Sequence, residues 1–258
     1  MPSQMLVLCL QWITLAGSAL TAAKLFQTGL FRRYPAFFRY FVYQSLNGIW
    51  PLFLSSGSRA YFYLWISTEP VNWLFYFLVV KELCRLVLEK HRGLYTLGRW
   101  AMSAATIVAL LLSVLSLVPR IPPPKHKISD LMPWVLAADR GITLGLAVFL
   151  LVLMFLLRKY PVTLSRNVVL HATLYATFFI SNTLDVAISS ALDVKLYALV
   201  DTGFLIVSAG CVLTWLFCLN PSGETVPVKL PFFRPEDEQR ILDKLESLNG
   251  TILKLSRH

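Results

Sequence analysis

The segment "FFISNTLDVAISS", Phe178 to Ser190, sets Ser181, Asn182, Thr183 and Asp185 inside an apolar run long enough to cross a bilayer. An ionised carboxylate facing hydrocarbon costs several kcal/mol, so an acid at this depth needs a partner or a wet cavity. Other polar residues fall at comparable depth in other apolar runs. Glu69 and Asn72 flank Pro70, "LAADRG" carries Asp139 and Arg140, and Asp201 lies about two helical turns into its run. Asn47, Gly48 and Trp50 close a further aromatic stretch.

Glu69, Asn72, Asp139, Arg140, Asn182, Asp185 and Asp201 are therefore the candidate ligand-binding residues. In one reading they line a polar cavity in which Arg140 is shared among Asp185, Asp201 and Glu69. One planar guanidinium can satisfy several carboxylate oxygens. In the others they form an ion-pair network that only orients helices, or they sit near enough to the interface to be hydrated.

Other chemistries lack their residues. No HExxH, GxSG or Gly-rich phosphate loop occurs, and the last apolar run has no Lys for a Schiff base with retinal. His91, His126, His171 and His258 do not pair at one depth as haem ligation requires, and His171 reads as a hydrogen-bonded core histidine. Cys9, Cys84, Cys211 and Cys218 form no CxxC pair and read as buried free thiols. Neither a metal nor a cofactor is expected, and the chain is not expected to be an enzyme.

Elements that could position these residues follow from composition. The chain has 258 residues, 56% of them hydrophobic and only 15% charged, with mean hydropathy +0.62. A soluble domain of this size needs more charge to cover its surface. An all-α integral membrane protein is expected, with about 20 apolar residues per span. Seven spans fit: Met5–Phe26, Pro35–Leu54, Tyr61–Leu88, Trp100–Val118, Trp134–Leu157, Val168–Ala191 and Leu196–Leu219. The third keeps a helical pattern past the membrane, and its end, with Glu82, Arg85 and Glu89, reads as a helix projecting into water. "VPRIPPPKHKISDLMP", Val118 to Pro133, reads as an extended surface loop.

The net charge of +10 suits anionic lipid head groups; no basic patch with interleaved aromatics points to nucleic acid. With seven spans, 18 of the 24 Lys and Arg residues fall on one side, which the positive-inside rule makes cytoplasmic. The N-terminus is then outside and the C-terminus inside. The first span lacks a basic flank before it and reads as a retained helix rather than a cleaved signal.

Residues 1–219 form the expected transmembrane domain, and 220–234 a Pro-punctuated linker. Residues 235–258 read as a short cytoplasmic amphipathic helix, opened by Pro235 with Glu236, Asp237 and Glu238 in its first turn. Ile241, Leu245, Leu248, Ile252 and Leu255 recur at alternating steps of four and three, a partner-binding seam. The seam pairs with a second copy or another protein, or the helix docks on its own loops or on lipid.

"YPAFFRYFVYQSLNGIWPLFL", then "VVKELCRLVLEKHRGLYTLGRW", with a helix leaving the last span, resembles uncharacterised bacterial seven-helix membrane proteins. It is also similar to the seven-helix input modules ahead of some sensor kinases. The resemblance implies a multi-pass protein of the bacterial cytoplasmic (inner) membrane that takes part in signal transduction. No phosphoacceptor helix or ATP-binding domain follows before His258, so a separate partner would carry the signal. The expected function is a non-enzymatic sensor or accessory protein with an outward-facing polar cavity. The alternative is a transporter or a structural subunit of a larger membrane complex. Transporters usually show paired broken helices in duplicated halves, and the Pro and Gly breaks here do not pair.

Overall fold

The computed structural model describes residues 4–54, 58–88, 100, 102–109, 111, 132–159, 164–189 and 194–228. The described residues are all-α apart from one short strand pair. Helices α1 (Gln4–Gln27), α2 (Pro35–Asn47), α3 (Trp50–Phe53), α4 (Arg59–Val87) and α5 (102–109) come first. They are followed by α6 (Met132–Lys159), α7 (Arg166–Ser189), α8 (Val194–Cys218) and the one-turn α9 (Ser222–Thr225). Strand β1 (Leu164–Ser165) pairs antiparallel with β2 (Pro227–Val228), Leu164 opposite Val228 and Ser165 opposite Pro227.

Local chemistry explains the helix limits. Pro35, at the first position of α2, brings a fixed φ to a site whose N–H would be orphaned anyway. Gly48 and Pro51 end that helix, so the expected single span Pro35–Leu54 is divided into α2 and the four-residue α3. Ser58 caps α4 by accepting a hydrogen bond from the Tyr61 N–H at 3.1 Å. At 29 residues, α4 is about 44 Å long and continues through Pro70, as the sequence pattern predicts.

Six long helices close into a ring. Around it, α1 packs on α2, α2 on α4, α4 on α6, α6 on α7, α7 on α8, and α8 back on α1. Leu25, Phe37, Phe41, Val80, Leu150, Tyr175 and Phe179, all essentially buried, fill its interior. Outside the ring, α5 crosses α6 at Gly145. A Cβ there would stand 2.6 Å from the Thr106 Cα, an approach only glycine allows.

Among the described residues three helices are long and apolar enough to cross a membrane: Met5–Gln27, Trp134–Phe155 and Leu199–Cys218, with mean hydropathies of 1.7, 1.9 and 1.8. They correspond to the first, fifth and seventh expected spans. Their outer faces are uncovered, with Trp12, Phe155, Leu199 and Phe217 each more than half exposed. A ring of helices with apolar outer faces is the pattern hydrocarbon covers and water does not. The fourth expected span is described only at residues 100, 102–109 and 111, and the Val118–Pro133 loop, apart from Met132 and Pro133, and the whole tail seam from Ile241 to Leu255 lie outside the described residues.

One sequence expectation fails here. Glu82 does not project into water: it is 7% exposed and turned inward. Its Oε2 accepts the Ala36 N–H at 2.7 Å and its Oε1 the Phe37 N–H at 3.2 Å. The side chain thus caps the N-terminus of α2, where orphaned donors and the helix dipole both favour an anion.

Candidate functional site

The ring encloses a cavity of about 250 Å³. At roughly 30 Å³ per water, that is space for about eight waters or one small ligand. Six helices contribute to its wall. Thr14 and Ser18 come from α1, Gln44 from α2, Glu69 and Asn72 from α4, Asp139 from α6, Asn182 from α7 and Ser208 from α8. Side chains at steps of three and four share a helix face, which is how Thr14 with Ser18 and Glu69 with Asn72 reach the interior together.

Hydrogen bonds fix this polar wall. The Asp139 carboxylate accepts from Trp73 Nε1 at 2.9 Å and from Asn182 Nδ2 at 3.1 Å, one bond to each oxygen. These bonds tie α6 to α4 and α7. Gln44 Nε2 donates to Asn72 Oδ1 at 3.2 Å, joining α2 to α4. Just below, the Thr183 hydroxyl meets the Thr143 hydroxyl at 3.1 Å, and Thr143 also donates to the Asp139 carbonyl at 2.8 Å. Glu69 and Asp139 face the cavity from neighbouring helices, and no Lys, Arg or His lines it among the described residues.

Four of the seven expected ligand residues therefore meet: Glu69, Asn72, Asp139 and Asn182. Arg140, Asp185 and Asp201 stand off the cavity wall. Asp139 and Arg140 are consecutive on α6, and one residue's step of about 100° turns the second away from where the first points. Asn47 and Trp50 pair locally, Trp50 Nε1 donating to Asn47 Oδ1 at 2.8 Å, and do not line the cavity.

The aromatic half of the wall was not legible as a site in the sequence. Phe41, Tyr40, Tyr76, Phe178 and Phe204 resemble any other core ring when read one at a time. In the structure they form a continuous arc with Trp215. Successive centroids are 5.5 Å apart for Trp215–Phe41, 5.4 Å for Phe41–Tyr40, 6.0 Å for Tyr40–Tyr76, 5.8 Å for Tyr76–Phe178 and 5.7 Å for Phe178–Phe204. The arc spans α2, α4, α7 and α8.

Behind the arc lies a second buried group. His171 is 1% exposed, as expected of a core histidine, with its ring centroid 4.2 Å from Phe37 and 4.7 Å from Tyr34. The hydrogen bonding expected of it is not found: neither of its ring nitrogens meets a partner among the described residues. The four cysteines are free thiols, but only two are buried as expected: Cys84 and Cys211 are buried, Cys218 is half-buried and Cys9 is exposed. Among the described residues no group of three His, Cys, Asp or Glu could hold a metal ion.

Glu224 was not expected to matter. On the segment after α8 it accepts hydrogen bonds from the Tyr34 hydroxyl and from Asn167 Nδ2, the latter at 2.7 Å. Arg33 Nε stands 3.9 Å from its other oxygen. Burial, and then the neighbouring carboxylate, push the Tyr34 hydroxyl well above its usual pKa, so it remains a donor. Asn167 is fully buried, and a Cβ on Gly223 would fall 2.2 Å from its Oδ1. Glycine is the residue that lets this segment close over Asn167. The described part of the expected 220–234 linker, up to Val228, is thus fastened to the helices by Glu224 and by β2.

Comparison with protein-family models, with curated proteins and with solved structures yields no match.

Proposed function

We propose that the chain is a multi-pass integral membrane protein of a bacterial cytoplasmic membrane, with seven spans, its N-terminus outside and its C-terminus inside. It acts as a non-enzymatic sensor or accessory protein whose cavity takes a small ligand from the outer side. The observation that carries this reading is the cavity itself: polar groups from six helices, those of α2, α4, α6 and α7 joined by hydrogen bonds, inside a ring whose outer faces are apolar. Polar groups at such depth are costly and tend to mark function. In the proposed orientation the cavity faces outward. Glu224 holds the segment leading to the tail on the other side, and the seam from Ile241 to Leu255 engages a partner or a second copy.

A thermal-melt screen of small cations, neutral polyols and anions on purified protein in detergent tests the ligand reading. At least one class is expected to raise the melting temperature. Ser208→Trp, which fills the cavity from α8, is expected to remain folded and to bind that compound at least about tenfold more weakly, the loss when one ligand-sized contact is blocked. A screen in which nothing stabilises the wild type, or in which both proteins respond equally, contradicts it.

A further inference from the structure

The ligand reading leaves the ligand's chemistry open, and the two halves of the cavity wall narrow it. On one side are the Glu69 and Asp139 carboxyl groups, with no basic side chain on the wall among the described residues. The donors holding Asp139, Trp73 and Asn182, are neutral and take one bond per oxygen. A carboxylate oxygen carries two acceptor positions, so capacity remains toward the cavity. On the other side is the aromatic arc, whose ring faces carry negative quadrupole potential.

Both halves favour positive charge, and together they select its kind. An inorganic divalent cation wants six or more oxygen ligands at short range, which rings cannot supply. A small organic ammonium ion suits both halves, because its charge is spread over methyl or methylene groups that pack on ring faces. Trp215, 2% exposed, extends that arc on the cavity wall.

We infer that the cavity binds a small organic ammonium ion, its charge set between the Glu69 and Asp139 carboxyl groups and the aromatic arc. The inference rests on the ligand reading above but fails separately from it.

Choline and its neutral isostere 3,3-dimethylbutan-1-ol differ only in the charged nitrogen, so they isolate the charge. Titrations of each into the purified protein, by calorimetry and by thermal melt, are run at matched ionic strength with potassium chloride as the salt control. Choline is expected to bind at least about tenfold more tightly than the isostere, as a desolvated cation–π and carboxylate site implies. In the Glu69→Gln, Asp139→Asn double variant choline is expected to fall to the level of the isostere. Retained binding of the isostere then shows that the variant is folded. Equal binding of the two probes, an equal response to potassium chloride, or a preference that survives the double variant overturns the inference. Absence of any choline response also overturns it. If a neutral or anionic compound still binds in a manner lost in Ser208→Trp, the cavity stands as a ligand site and only the ammonium class falls.

Discussion

Glu224→Ala is expected to lower the stability of the detergent-purified protein by about 1–4 kcal/mol, because it removes the carboxylate acceptor of the buried Tyr34 hydroxyl and leaves Asn167 Nδ2 with the Asn220 carbonyl alone. Tyr34 is 1% exposed and Asn167 fully buried, so neither can turn to water when the carboxylate is gone. An orphaned donor costs about 1–3 kcal/mol. The contact with Arg33 adds little, since that guanidinium is 45% exposed and the separation is 3.9 Å. Glu224→Gln keeps an oxygen in place and is expected to lose less than half as much. Tyr34→Phe removes one donor and its need together, so its cost should shrink in the Glu224→Ala background. Thermal and denaturant melts of the two single variants and the double give the coupling directly. Strict additivity would mean that Tyr34 and Glu224 do not meet.

Glu82→Ala is expected to cost about 1–3 kcal/mol, the range for leaving a buried helix N-terminus uncapped. The Ala36 and Phe37 N–H groups would lose their acceptors, and Phe37 is 1% exposed within the aromatic core. Glu82→Gln retains one acceptor oxygen but not the charge that complements the dipole, and should fall between the two. Glu89→Ala, at a position the sequence places on the same helical pattern, is the comparison. Melts on all three variants check this; a Glu82→Ala protein as stable as Glu89→Ala would mean the cap contributes nothing.

These two acids show where sequence reading reached and where it stopped. Helical periodicity and apolar length are local properties, so the long helices and their approximate ends were visible in the chain. The division of Pro35–Leu54 was signalled by Gly48 and Pro51, though not its consequence of two separate helices. Glu82 read as part of a helix projecting into water, and Glu224 drew no reading within the linker, because their partners, Ala36, Phe37, Tyr34 and Asn167, are distant in sequence. For the candidate site, depth along the helix was legible and rotation about it was not. Glu69, Asn72, Asp139 and Asn182 share the cavity wall, whereas Arg140, Asp185 and Asp201 do not line it. The aromatic arc needed the closed ring of helices before its members could be seen to adjoin.

The central claim is that a water-filled cavity opens from the outer face of a membrane-embedded ring, and cysteine accessibility tests it most directly. In a variant with Cys9, Cys84, Cys211 and Cys218 replaced by Ala or Ser, a single cysteine is introduced at Ser208 on the cavity wall or at Leu151 on the outer face of α6. A membrane-impermeant thiol reagent is then added to right-side-out spheroplasts. Thiols react as thiolates in water, so Ser208→Cys should label from outside and be protected in Ser208→Cys carrying a bound cavity ligand, while Leu151→Cys in hydrocarbon should stay unlabelled. Labelling of Ser208→Cys only after the inner side is exposed, no labelling from either side, or equal labelling of Leu151→Cys would contradict the account.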